Sequence, residues 1–123
     1  MSIGRLDATA LDCEDPQTLA AFYQSILGGE IYATADGRWV EVQTEGGTVA
    51  CQRIDDYVSP TWPGGDVPTQ AHIDIAVHDL DEGERSVTRL GARKAVVQPS
   101  PENFRVFFDP AGHPFCLVID WRA

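Results

Sequence analysis

The hydrophobic and polar positions of the chain follow the same order in its two halves. In each half, an alternating, apolar-rich segment leads to an Asp, an amphipathic helical pattern and a Leu-Gly pair. Asp15 and Asp79 stand where their side chains can accept hydrogen bonds from the first helical turn. The pattern therefore predicts helices near residues 16–27 and 80–90.

Three short segments rich in Val, Ile, Phe and Trp follow each predicted helix, separated by Gly, Pro and Asp at turn positions. Such segments are typical of strands. They lie at about 30–34, 38–43 and 48–54 in the first half, and at 93–98, 103–108 and 114–120 in the second. Each half therefore has the order βαβββ.

This order predicts an α+β fold of two βαβββ modules. Module 1 spans about residues 5–54, module 2 about 70–121, and residues 55–69 form a linker rich in Pro, Gly and Asp. A four-stranded sheet with one helix has one covered and one open face. We expect the modules to form a curved mixed sheet around a cleft, with the helices outside, as a single domain over residues 1–123. A ligand site is expected in the cleft.

Composition limits the classes of partner. The chain has 43% hydrophobic and 23% charged residues, and its formal net charge is −10. Nucleic-acid binding requires clustered Lys and Arg, so we expect no such partner. A neutral or cationic ligand meets less electrostatic opposition than an anionic one.

No segment approaches the roughly 18–20 apolar residues that cross a bilayer, so we expect no membrane partner. The odd number of cysteines, Cys13, Cys51 and Cys116, suggests reduced thiols in a cytoplasmic protein.

Three motifs in order resemble the vicinal oxygen chelate superfamily, which includes glyoxalase I, extradiol dioxygenases, fosfomycin-resistance enzymes and bleomycin-binding proteins. The motifs are DPQTLAAFYQSILGG in the first half, HIDIAVHDLDEG at the start of the second, and VFFDPAGHPFCLV near the end. The resemblance covers nearly the whole chain and implies the duplicated fold. It does not select an activity, because one scaffold carries many chemistries.

The resemblance also implies where a metal site would lie, on the first and last strands of the halves. His72 matches the ligand position on the first strand of the second half, but Ala8 occupies the corresponding position in the first half. Cys116 stands where the family's last-strand Glu is expected, and Ala50 or Cys51 is its equivalent in the first half. Because a catalytic ion usually has about three protein ligands, we expect no metal cofactor. If an ion binds, we expect His72 with Cys116 or Glu41, and Asp74 is a possible substitute carboxylate.

Strand alternation sorts the candidate ligand contacts by face. Val40 and Val42 suit the helix side, so their neighbours should face the cleft, and the same reasoning applies to the other strands. Trp62 on the linker could cover the mouth of the cleft. The predicted ligand-binding residues are Trp39, Glu41, Gln52, Trp62, His72, Asp74, Arg105, Phe107 and Cys116. An alternative is that Trp39 and Phe107 fill the interior.

Two functions follow from these residues. The first is a binding protein that sequesters a small aromatic or drug-like compound without a complete metal site. The second is a metal-dependent lyase, isomerase or dioxygenase with a rearranged site, or a metal-free catalyst that uses His72 and Asp74. A weaker alternative is a module whose output is its subunit interface. The catalytic residues are not identifiable, although a Cys116–His72 nucleophile pair is conceivable. We expect a homodimer, because many relatives build their clefts from two chains and open sheets leave edges to protect.

Overall fold

The computed structural model describes residues 2–120, which form eight strands and two helices. The first half contains β1 (Thr9–Cys13), α1 (Pro16–Leu27), β2 (Glu30–Ala33), β3 (Trp39–Thr44) and β4 (Gly47–Arg53). The second half contains β5 (Ile73–Val77), α2 (Leu80–Arg89), β6 (Arg93–Lys94), β7 (Phe104–Phe108) and β8 (Pro114–Ile119). The predicted α+β fold of two βαβββ modules is confirmed.

Each module has its own four-stranded mixed sheet. The strand orders are β1-β4-β3-β2 and β5-β8-β7-β6. The first strand of each module pairs in parallel with the last, and the other pairs are antiparallel. The boundary between two compact units falls between Tyr57 and Val58. We therefore use module 1 for the part before this boundary and module 2 for the part after it, so that residues 58–69 of the predicted linker belong to module 2.

The helix of module 1 covers one face of its sheet. The Asp15 carboxylate accepts hydrogen bonds from the backbone N–H and the hydroxyl of Thr18, and these bonds lower the pKa of Asp15. The helix buries Leu19 and Tyr23 and packs on β3 and β4. In module 2, Asp79 accepts the corresponding bond from the Glu82 N–H at 2.9 Å. Both cap residues therefore act as the sequence predicts.

The covered face of module 2 contains Phe107, whose predicted orientation toward the open face is wrong. Phe107 is fully buried and stacks on Phe115, with 5.7 Å between the ring centroids. The two residues are direct cross-strand partners, and such partners share a face of the sheet. Phe107 is therefore a core residue on the side of α2 and does not contribute a wall to a ligand site.

Arg105 also lies on the helix side, contrary to the prediction. Its Nη1 lies 2.8 Å from Asp81 Oδ1 and 3.1 Å from Glu84 Oε1, both on α2. Its Nε donates to the Pro101 carbonyl oxygen at 2.9 Å. The side chain is only 17% exposed. Arg105 therefore joins β7 to α2 and points away from the open face of the sheet.

The strand β6 is shorter than the predicted segment 93–98 because a side chain replaces part of the backbone ladder. Gln98 donates to the carbonyl oxygens of Ala95 and Val106 and accepts a bond from the Val106 N–H. These three bonds satisfy groups that a longer strand would pair. The chain can then leave the sheet, and Val96 is fully exposed.

Neither α1 nor α2 is long and apolar enough to span a lipid bilayer. Cys13, Cys51 and Cys116, all within the described residues, are buried and form no disulfide.

We predict that Phe107→Ala lowers the free energy of unfolding by about 3–5 kcal/mol, because it removes a phenyl ring from a packed interior. Phe104→Ala is the control, since that ring lies half-buried on the opposite face of the same strand. It should cost less than about half as much. Urea denaturation of both variants measures the difference, and equal losses would show that the two faces are not distinguished as described.

Candidate functional site

A pocket of about 320 Å³ lies on the open face of the module 2 sheet. Its walls on the strands come from Asp74 on β5, Phe104 and Val106 on β7, and Cys116 and Val118 on β8. Pro114 at the start of β8 and four loop residues complete the lining; the loop residues are Trp62, Thr69, His72 and Pro99. Most of the lining is therefore apolar, with a few polar groups.

Strand pairing explains why these side chains converge. Cys116 is aligned with Asp74 on one neighbouring strand and with Val106 on the other. Phe104 is aligned with Val118 in the same way. Because aligned residues share a face and side chains alternate along a strand, the five must point away from α2. The sequence thus places one carboxylate and one thiol beside three apolar side chains.

Three polar side chains form one corner of the pocket. His72 Nε2 lies 3.0 Å from Asp74 Oδ1, and these side chains are 48% and 56% exposed. Cys116 is buried and forms a hydrogen bond with Asp74. Potential ligand atoms of all three lie within 4.8 Å of one another. Asp74 is therefore the central acceptor of this polar corner.

The thiol of Cys116 is held in its protonated form. Burial is the largest cause of a rise in its pKa to about 11, followed by the negative charge of Asp74 and the hydrogen bond to it. A nucleophilic cysteine needs a lowered pKa and a nearby positive charge. The environment of Cys116 has the opposite effect, which argues against the conceivable Cys116–His72 nucleophile pair.

The segment before β5 supplies the loop wall of the pocket. It is held by a bond from the Thr61 N–H to the Val67 carbonyl oxygen and by a return bond from the Val67 N–H to the Thr61 hydroxyl. Trp62 packs edge-on against Phe108, with 6.5 Å between the ring centroids. The hydroxyl oxygen of Thr69 is buried and has no hydrogen-bond partner among the described residues. A polar group in this state is unusual in a folded protein.

Module 1 presents a separate set of predicted residues on the open face of its own sheet. Trp39 Nε1 donates to Glu41 Oε2 at 2.9 Å, and Gln43 Nε2 donates to Glu41 Oε1 at 3.0 Å. The bond from Trp39, and then that from Gln43, lowers the pKa of Glu41. Gln52 is the cross-strand partner of Trp39, and both line a shallow groove of module 1.

The predicted site residues thus fall into three groups. Trp62, His72, Asp74 and Cys116 line one pocket in module 2. Trp39, Glu41 and Gln52 share the open face of module 1. The third group, Arg105 and Phe107, lies on the helix side of module 2. Of the two partners proposed for His72 at a metal, Cys116 lies in the cluster with His72 and Asp74, and Glu41 belongs to module 1.

Sequence reasoning missed Phe104, Val106 and Thr69 as lining residues. For the first two, the sequence signal is the turn at residues 109–112, which limits how β7 can pair with β8. The Asp109 N–H bonds to the His113 carbonyl oxygen, which closes the turn and aligns Phe108 with Pro114. Because side chains alternate along a strand, Val106 and Phe104 share the face of Phe108. Nothing in the local sequence distinguishes Thr69 from other linker residues.

Solved structures with the same fold belong to proteins of different activities. A variant of the fosfomycin resistance protein FosX from Listeria monocytogenes, in complex with Mn(II) and 1S,2S-dihydroxypropylphosphonic acid, is 20% identical. The alignment has a TM-score of 0.71 and covers 96% of this chain and 90% of that one. Lactoylglutathione lyase from Agrobacterium tumefaciens is 18% identical, with a TM-score of 0.64 and coverage of 94% and 93%. At these identities, the likeness shows the fold alone.

A third similar structure is that of TnmS3, an antibiotic binding protein from Streptomyces sp. CB03234. It is 21% identical, with a TM-score of 0.61 and coverage of 97% of this chain and 98% of that one. No functionally curated protein matches the chain in sequence. The family model of the glyoxalase-like domain matches residues 8–118. The chain therefore belongs to the glyoxalase-like domain family, within the vicinal oxygen chelate superfamily.

Proposed function

We propose that this protein binds a small aromatic or drug-like compound noncovalently in the module 2 pocket, without a metal. The observation that carries the proposal is the division of the pocket into a large apolar surface and one polar corner. Trp62, Phe104, Val106 and Val118 supply the apolar surface. Small-molecule sites usually combine such walls with a few placed polar groups that fix the orientation of the ligand.

Sequestration needs tight contact but no reactive group, and the polar corner suits that requirement. The protonated thiol of Cys116 is a weak nucleophile. Asp74 can accept hydrogen bonds from a ligand, and His72 contacts Asp74 at the pocket. The antibiotic-binding neighbour indicates that this fold can carry a binding function. Trp39, Glu41 and Gln52 stay proposed ligand contacts on the open face of module 1.

The donor set does not fit the manganese ion that the FosX neighbour carries. Mn²⁺ favours oxygen ligands, whereas thiolate sulfur favours zinc and other softer ions. The corner offers only one carboxylate, that of Asp74, beside an imidazole and a thiol. Cys116 must also lose its proton to bind an ion, and its raised pKa opposes this at neutral pH.

A zinc-type ion is the second candidate occupant of the corner. The convergence of donor atoms from His72, Asp74 and Cys116 within 4.8 Å favours it. These three residues would hold the ion, which would supply a Lewis acid for the lyase or isomerase alternative. The two candidates differ in whether ligand binding depends on a metal.

We also propose that the protein is a cytoplasmic homodimer. The three buried thiols, which form no disulfide, support a reducing compartment. Within their sheets, β1 and β2 in module 1 and β5 and β6 in module 2 are each paired on one side only. Unpaired strand edges are commonly covered in native proteins.

The pocket proposal predicts that Val118→Phe weakens binding of a bicyclic aromatic alcohol, 2-naphthylmethanol, by at least about tenfold. The added ring would occupy the apolar part of the pocket. Val96→Phe is the matched control, because Val96 is fully exposed and does not line this pocket. Saturation-transfer NMR detects the binding and calorimetry measures it, with thermal melts to confirm that both variants fold. Equal affinities in the two variants would refute the location of the site.

The metal-free proposal predicts that EDTA leaves the affinity for 2-naphthylmethanol unchanged in protein purified without a histidine tag. It also predicts that Co²⁺ titration gives no thiolate-to-cobalt charge-transfer band at neutral pH, because the raised pKa of Cys116 adds to the cost of the deprotonation that ion binding requires. Cys116→Ser is the control for any band that does appear. A band that this variant lacks, together with loss of binding in EDTA, would favour the second candidate.

The dimer proposal predicts a mass of twice the 13.4 kDa chain. Light scattering after size-exclusion chromatography at micromolar concentration measures this mass. The mass of one chain under these conditions would contradict the proposal.

A further inference from the structure

The lining of the module 2 pocket, as far as the described residues form it, contains a carboxylate and no Lys or Arg side chain. Asp74 is its carboxylate, and the other titratable lining residues are His72 and Cys116. Among the described residues, His72 is the only ion-pair partner of Asp74. The chain as a whole has a formal net charge of −10. An anionic ligand would therefore meet repulsion both in the pocket and from the rest of the protein.

The carboxylate of Asp74 has acceptor capacity to spare. An ionised carboxylate offers about four lone-pair positions on its two oxygens. The contacts with His72 and with the Cys116 thiol use part of this capacity. The side chain remains 56% exposed and lines the pocket. A donor group of a ligand can therefore reach it without displacing either neighbour.

The apolar walls next to this carboxylate contain two aromatic rings. Trp62 and Phe104 both line the pocket and pack around the cluster of Val106 and Cys116. Aromatic rings bury a large apolar area, and their faces also attract cations. The rings thus suit an aromatic ligand and add to the preference for positive charge.

An unpaired polar atom on the same pocket is a further sign of a ligand. The Thr69 hydroxyl oxygen is buried without a partner, although Thr69 lines the pocket. An atom left unpaired in this way is destabilising in a folded protein. Rotation of the side chain toward a bound hydrogen-bonding ligand would satisfy it.

We infer that the pocket selects organic cations of the arylalkylammonium type, with the ammonium group bound by Asp74 and the aromatic ring packed against Trp62 and Phe104. The inference rests on the proposed function, because it names the class of compound that the same pocket binds. It requires no metal and no covalent step.

Three probes of nearly equal size and shape test the charge preference. They are 2-naphthylmethylamine as the cation at neutral pH, 2-naphthylmethanol as the neutral compound and 2-naphthoate as the anion. We expect the amine to bind about three- to tenfold more tightly than the alcohol, since a half-exposed carboxylate gives a moderate charge-assisted bond. The anionic probe, 2-naphthoate, should bind most weakly. Calorimetry at fixed ionic strength gives the three affinities.

A pair of Asp→Asn variants separates the local charge from the overall charge of the protein. Asp74→Asn should remove the preference for the amine over the alcohol while the alcohol still binds. Asp56→Asn removes the same charge from an exposed turn in module 1, where the backbone has a φ of 57° that Asn tolerates. It should leave the preference unchanged. An equal loss in both variants would show that the amine responds only to net charge, which would overturn the inference.

The outcomes distinguish this inference from the proposed function. If the alcohol binds and Val118→Phe weakens it, but the amine binds no more tightly, the cation inference fails and the pocket proposal stands. If the amine preference survives in Asp74→Asn, the inference fails in the same way. If no probe binds at millimolar concentration, or if none depends on Val118, both are refuted.

Discussion

The arrangement of module 2 depends on the alternation of side chains along its strand β8. This strand lies between β5 and β7, so each residue from Phe115 to Val118 has an aligned neighbour on either side. Phe115 and Leu117 are fully buried on the side of α2. Cys116 and Val118 point the opposite way and line the pocket. One strand thus supplies both the core that holds the module together and the floor of its candidate site.

The same constraint links the stability of the module to its chemistry. Moving β8 by one residue relative to its neighbours would turn Phe115 toward the pocket and Cys116 toward the helix. The stack of Phe107 on Phe115 opposes such a shift, and the ion pairs from Arg105 to α2 fix which face of β7 lies against the helix. The alignment of Asp74 with Cys116, which brings the side chains of the polar corner together, is therefore fixed. The side chains that hold this alignment lie outside the pocket.

Local sequence signals predicted the helices and their caps well, because those depend on neighbouring residues. Asp15 and Asp79 cap the two helices as expected. The faces of β7 were not predictable from local hydrophobicity, because Phe104, Val106 and Phe107 are all apolar and either face could have been the core. Arg105 was misleading for a related reason. Its acidic partners lie on α2, far away in sequence, so a charge that looked suited to a cleft is paired on the other face.

Cys116 stands where the family resemblance implies a Glu. The chemistry of this position depends on Asp74, which is aligned with Cys116 on the neighbouring strand. The resemblance placed a carboxylate at residue 116, and the structure instead aligns a thiol there with a carboxylate on the neighbouring strand. The negative charge at the corner is thus supplied by Asp74, while the thiol beside it is kept protonated by burial and by that charge. A corner with one carboxylate and a protonated thiol offers few oxygen donors to an ion such as Mn²⁺, and its charge is the basis of the inferred preference for a positive group on the ligand. This difference in chemistry leaves the fold unchanged, because Cys116 and Asp74 both face away from the core that α2 covers.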